Sequence, residues 1–390
     1  MSYILRDAQK TIKAFLTSQK VLLILGARQV GKTTLMKKVL EGISYTFLNL
    51  DIEVDYARLN VAKSLSPREA WKSFGSPEIL VIDEAQRAPD LGRLVKGWYD
   101  ASLPAKIILL GSSSVGLLDG VAAALTGRNQ KLFLPPLIFS EIVSSQSWYA
   151  VEYSKKILIK SFANQLSALL MQSILYGSYP EIVLSDKTKE EGLTNLTSDY
   201  ILRDILNLGL IKSPDTIRRL LLLLAYQIGS EVSISELSRT LQIARPTITH
   251  YLDLLERNFI IFRLPAFSTN RRKEIGRNTK IFFWDTGIRN ALINEFSHSE
   301  FRSDIGMLWE NWVIAEFAKR NLLEGNKKTL YFWRTTTGSE VDLIIKRGPT
   351  VEAFEIKWKK QSRAHRAFTR QYKKSVTVIT STTCFEYILR

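Results

Sequence analysis

At 390 residues the chain exceeds one typical domain, and 45% hydrophobic with 10% aromatic residues is enough for packed cores and excludes a largely disordered chain. Lys and Arg number 54 against 38 Asp and Glu, a net charge of +16 that favours a polyanionic partner, either nucleic acid or an anionic membrane surface. The single cysteine, Cys384, excludes an intrachain disulfide and a Cys-based zinc site, and fits a reducing compartment.

The first residues, MSYILRDAQKTIKAFL, intersperse charge among apolar positions, which predicts an amphipathic helix and not a signal peptide. Short apolar runs then alternate with helical stretches, the pattern of an α/β domain with a parallel sheet. The expected strands are Val21–Leu25, Tyr45–Leu50, Ile79–Ile82, Lys106–Leu110 and Lys131–Leu134, with Pro135 and Pro136 ending the pattern. From Glu152 to Ile228 the texture is helical. Ser235–Leu241 and a helix opening at Pro246 follow, then an apolar strand Phe259–Leu264, the layout of a winged helix-turn-helix. A return to mixed α/β begins at Lys280. The expected division is 1–145, 146–228, 229–279 and 280–390. No apolar run approaches the roughly 18 residues a membrane span needs, so a soluble, cytoplasmic protein without a membrane partner is expected.

Gly26, Ala27, Arg28, Gln29, Val30, Gly31, Lys32 and Thr33 match the P-loop pattern in full, between an apolar strand and a helix that includes Thr34. The glycines let backbone N–H groups wrap phosphates, Lys32 neutralises the β and γ oxygens of ATP, and Thr33 holds Mg²⁺. A buried-strand run delivers Asp83 to the carboxyl edge of the sheet, where it holds the same ion's water shell; Glu84 is placed to activate the attacking water. After Lys106–Leu110, Ser112 or Ser113 is placed to sense the γ-phosphate. Arg128 is a candidate to reach a phosphate, in cis or in a neighbouring subunit of a homo-oligomer.

Near the C-terminus, residues 340–357 read as a β-hairpin turning at Gly348 and Pro349. A turn centred between those two sets Asp342 opposite Glu355 and Glu340 opposite Lys357, all on one face. Facing carboxylates repel, a cost that a divalent cation would remove. An Asp followed by Glu-X-Lys on the next strand is the constellation of metal-dependent phosphodiesterases, with Asp342 and Glu355 as ligands and Lys357 acting on water. Glu310, an acid inside an amphipathic helix, is a further ligand. The run Lys359, Lys360, Arg363, Arg366, Arg370, Lys373 and Lys374 contains no acid and suits a phosphate backbone. A solvated charged face is the competing reading.

With these motifs assembled, the chain resembles bacterial and archaeal AAA-type ATPases fused to domain-of-unknown-function family 4143. The resemblance is carried by residues 26–35, Val81–Gln86, Leu125–Arg128 with Leu134–Leu137, Phe283–Asn290, Trp309–Val313, Phe332–Thr335, Glu340–Asp342 and Phe354–Lys357. It implies an ATPase core, a winged helix in the middle and a restriction-endonuclease-like C-terminal fold. The function expected is an ATPase acting on DNA, branched or damaged structures included, whose C-terminal domain grips DNA and is a candidate nuclease. The alternative is an ATPase switch that binds a protein partner and carries the nuclease-like domain as an inactive scaffold.

Overall fold

The computed structural model describes residues 3–112, 120–185, 188–198, 213–268, 279–298, 302–335, 337–359 and 366–389. The chain divides into two compact units, one of Leu5–Pro135 with Arg257–Phe259, the other of Met1–Ile4, Pro136–Glu256 and Ile260–Arg390. No described helix is long and apolar enough to cross a membrane.

The first unit is built on five parallel strands: β1 (Val21–Leu25), β2 (Tyr45–Asn49), β3 (Ile79–Asp83), β4 (Lys106–Gly111) and β5 (Asn129–Phe133). Their order is β2-β3-β4-β1-β5, so β4 is inserted between the strand before the P-loop and the strand that ends at Asp83. Every residue of β1 and β3 is buried, because helices cover both faces of a parallel sheet and no polar alternation is needed. The helix Leu91–Asp100 lays Leu91, Val95 and Trp98 against one face, and Trp98 meets Phe74 edge-on at 5.8 Å. The strands lie within two residues of their expected positions. The compact unit runs to Pro135, and Phe139 of the next helix packs on Trp312 within the second unit.

In the second unit, β6 (Glu231–Val232), β7 (Ile261–Leu264) and β8 (Thr279–Phe283) form an antiparallel sheet of order β6-β8-β7. The helices Ile234–Leu241 and Arg245–Arg257 lie between β6 and β7 in sequence. Ser233 accepts a hydrogen bond from Glu236 N at 3.3 Å to cap the first. Pro246 enters the first turn of the second, where a missing N–H costs nothing. Arg271, Arg272, Lys273 and Arg277, the basic stretch between β7 and β8, lie outside the described residues. A four-stranded sheet of order β12-β11-β10-β9 closes the chain, with β9 (Thr329–Arg334), β10 (Glu340–Arg347), β11 (Thr350–Ile356) and β12 (Thr377–Ile379). Only the β11–β12 pairing is parallel.

Buried polar side chains fix the helix Ile305–Leu323 to β8 and to the helix Thr286–Leu292 that follows it. Asn311 accepts from Phe283 N at 2.7 Å and donates to Phe283 O at 2.9 Å, as a neighbouring strand would. Asp285 accepts from Ile288 N at 3.1 Å and from Ser178 N at 2.7 Å. Burial pushes its carboxyl above the usual range, against the pull of Lys319. Arg289 joins Asp304 at 2.6 Å and donates to Ala225 O at 2.8 Å. The 283–290 motif therefore serves the packing of this unit, with Asp285, Arg289 and Asn290 each hydrogen-bonded to neighbouring segments.

Candidate functional site

The P-loop leaves β1 at Gly26. A Cβ there would lie 2.2 Å from Leu134 O, so only glycine lets the loop pass the end of β5, where Leu134 N donates to Leu25 O at 2.7 Å. Gln29 (φ 59°) and Gly31 (φ 88°) are both left-handed, which turns successive N–H groups toward one centre at the start of the helix Lys32–Val39. The Lys32 ammonium donates to Gly26 O at 2.9 Å and Ala27 O at 2.8 Å, lying across the loop's entrance. Ala27 and Val30 are buried, Arg28 and Gln29 half-buried, and Thr34 stands in the helix's first turn. Beneath the loop the Arg6 guanidinium, 4% exposed, donates to Val30 O at 2.8 Å and Pro135 O at 2.7 Å.

Thr33 Oγ1 donates to Asp83 Oδ2 at 2.5 Å. The strand order brings this about: β1 and β3 end at the same sheet edge, one carrying the loop and the other the acid. Hydroxyl and carboxylate are hard oxygen donors set together, a pair that fits Mg²⁺ arriving with ATP phosphates. Glu84 is left-handed (φ 53°, ψ 40°), and its Oε2 accepts from Gln86 Nε2, which holds the carboxylate at the edge of the sheet. Ser112, 7% exposed, follows β4 between the two motif strands; Ser113 lies outside the described residues.

Arg128 is placed elsewhere. Its carbonyl accepts from Val21 N at 2.9 Å, at the start of β1, and its guanidinium pairs with Asp100 at 2.6 Å. Five residues of β5 separate it from the P-loop edge, about 16 Å at strand rise, so it does not reach a phosphate bound in cis. The signal was present in the sequence: in a parallel sheet, a residue just before a strand lies at the edge away from the strand-to-helix loops.

The C-terminal hairpin has the register its turn predicts, Leu343 opposite Phe354 through Arg347 opposite Thr350. One step further sets Asp342 across from Glu355. Glu310, Asp342, Glu355 and Lys357 line one cavity of about 890 Å³ together with Lys280, Glu340, Arg334 and Arg366. Lys357 Nζ lies 3.1 Å from Glu355 and 3.4 Å from Asp342, which also accepts from Ile356 N at 2.6 Å. Burial raises the Asp342 carboxyl despite Lys357. Burial would lower the Lys357 ammonium, but Asp342 and Glu355 outweigh it and raise it.

Two acids of this cavity have a partner the sequence did not suggest. Glu340 pairs with Lys280, and more distantly with Arg334 at 3.8 Å. Glu310 turns to the same Lys280 at 2.9 Å. Among the described residues no three His, Cys, Asp or Glu side chains converge as a metal-holding group. Burial pushes the Glu310 carboxyl up to about 7, and the buried Lys280 at its side opposes that rise. The residues fit a divalent ion only in part, through Asp342 and Glu355.

Residues 18–143 match the AAA domain family, residues 167–299 a domain of unknown function (DUF8612), and residues 305–387 a domain of unknown function (DUF4143). The N-terminal unit is a P-loop ATPase domain of the AAA type. An uncharacterized protein of Mycobacterium tuberculosis is 29% identical over 355 residues, 90% of this chain and 73% of its own length. Another, of Methanocaldococcus jannaschii, is 28% identical over 347 residues, 86% and 74% of the two chains. Among solved structures, the Walker-type ATPase of Pyrococcus abyssi is similar with a TM-score of 0.53 at 18% identity, covering 75% of this chain and 96% of that one, a likeness of fold.

Within the ATPase domain, Arg6 is a residue beside the loop that local pattern did not reveal, a single polar residue with no motif of its own, and Gln86 lies in the 81–86 motif without a role assigned to it. At the C-terminal cavity the missed residue is Lys280, which lies before the DUF4143 match and which the sequence shows only as the lysine before an apolar strand.

Proposed function

We propose that this protein is a DNA-acting ATPase, in which the P-loop unit hydrolyses ATP and the second unit holds the DNA backbone. Lys32 and the loop N–H groups bind the phosphates, Thr33 and Asp83 would hold Mg²⁺, and Glu84 takes the proton of the attacking water. Mg²⁺, when bound, neutralises charge developing on the β and γ phosphates. The observation that carries the DNA reading is the cavity in which Lys357 lies beside the facing Asp342 and Glu355, with Arg334 and Arg366 at the same walls. Basic side chains around an acidic pair suit a phosphodiester, drawn by the cations and located by the acids. The helix pair Ile234–Leu241 and Arg245–Arg257 with strands β6, β7 and β8 supports a winged helix, whose exposed His250 offers backbone more than base contacts.

One observation favours the other reading, a protein-binding ATPase switch with an inactive nuclease-like domain: Lys280 occupies Glu310 and Glu340. The deciding experiment incubates the protein with linear, forked and four-way DNA, with and without ATP and Mg²⁺, scoring ATP turnover, binding and cleavage separately. DNA-stimulated turnover, with DNA binding weakened in Lys357→Ala, supports the DNA reading. Cleavage lost in both Asp342→Ala and Lys357→Ala makes the cavity a nuclease site. No binding of any DNA and no change in turnover leaves the switch.

A further inference from the structure

Arg6 stands outside every motif, yet it is buried and its guanidinium joins two main-chain carbonyls of the ATPase unit, Val30 O and Pro135 O. A guanidinium is a planar fork of donors and can hold two acceptors at fixed separation, which a lysine cannot. The Val30 carbonyl shares a peptide plane with the Gly31 N–H, and across a trans peptide the two point in opposite directions. Arg6 draws the carbonyl down into the protein, so the N–H is turned up toward the phosphate side. That peptide leads into a glycine at φ 88°, whose backbone has little intrinsic preference for one orientation, and a flip would aim a carbonyl oxygen at the phosphates.

The second anchor is equally specific. Pro135 is the last residue of the unit's main segment, and its carbonyl precedes a second proline, so that peptide has no N–H. Leu134, just before it, is bonded to Leu25 at the loop's entrance. The guanidinium thus spans from the loop's far end to the chain that braces its near end.

We infer that Arg6 is a positioning residue for nucleotide binding: it locks the Val30–Gly31 peptide so that the Gly31 N–H faces the phosphates of ATP. The inference rests on the P-loop being the nucleotide site. The test measures the Kd of a fluorescent methylanthraniloyl-ATP with Mg²⁺ for wild type, Arg6→Ala, Arg6→Lys and Lys32→Ala, alongside thermal midpoints without nucleotide. Arg6→Ala is expected to weaken binding about tenfold, the effect of about 1.4 kcal/mol, and millimolar methylguanidinium is expected to restore it. Wild-type affinity in Arg6→Ala overturns the inference, as does a loss that methylguanidinium leaves untouched while the midpoint falls. If Arg6→Ala does not fold, Arg6→Lys decides: weaker binding at an unchanged midpoint supports the inference, and unchanged binding overturns it. Lys32→Ala separates the two levels, for if it too binds as wild type does, the P-loop reading itself has failed.

Discussion

Replacing Gly26 by alanine puts one methyl group where the fold has no room for it. The added carbon would stand 2.2 Å from Leu134 O and 3.3 Å from the Val30 side chain. An ordinary carbon–oxygen contact is about 1 Å longer than the first of these, and the obstacle is backbone, which cannot rotate away. Either the loop or the end of β5 must shift. Overpacking of this kind costs about 1–3 kcal/mol, and losing the Leu134 N to Leu25 O bond adds roughly 1 kcal/mol. A total of about 2–4 kcal/mol lowers the thermal midpoint by roughly 6–12 °C for a unit of this size. Because the displaced atoms include the loop entrance where Lys32 is bonded, ATP binding is expected to fall with stability. Gly97→Ala is the matched control: Gly97 is exposed inside the helix Leu91–Asp100 and a Cβ there meets nothing within 4 Å. That change is expected to stabilise by about 0.5–1 kcal/mol. Calorimetry of the two variants and titration with ATP make the comparison, and a Gly26→Ala protein with wild-type midpoint and affinity refutes the reasoning.

Glu84→Gln is expected to bind ATP as wild type does while hydrolysing it at least a hundredfold more slowly, read from phosphate release under saturating ATP; wild-type turnover removes Glu84 as the base. Asp304 supplies a pH dependence. Burial alone would raise its carboxyl, but hydrogen bonds and charge from Arg302 and Arg289 hold it at about 2. Its contribution is therefore complete above the unfolded value near 4 and is lost as pH falls toward 2. After allowance for solvent screening the contribution is of order 1 kcal/mol. Denaturant unfolding of wild type and Asp304→Asn is expected to differ by a constant amount between about pH 5 and 7, and the difference should shrink below pH 4. A gap that does not narrow assigns the effect to packing.

The parallel sheet was legible because its strands are apolar runs too short for helices and are separated by stretches long enough for crossovers. The C-terminal register was legible for a more local reason: Gly348 and Pro349 fix the turn, and alternation carries the pairing back to Asp342 and Glu355. What pattern could not reach were the partners supplied from afar. Lys280 is 30 residues from Glu310, and Arg6 is 24 from Val30 and 129 from Pro135. In each case the pairing is created by chain segments that meet only after folding. Glu310 was legible as an acid inside a helix, but its pairing with Lys280 was not, because no local pattern names a partner on a distant strand.

The side-chain amide of Asn311 stands in for a missing strand along β8, and Lys280, from the same strand, neutralises two acids on the helix and hairpin beyond residue 300. Whatever modularity the chain has, this part of it is not a bead on a string. A C-terminal piece beginning after residue 300 would carry Glu310 without Lys280, Glu340 with only the more distant Arg334, and an Asn311 with nothing to bracket. Recombination that exchanged such a piece between relatives would leave these partners behind unless it carried β8 along with it.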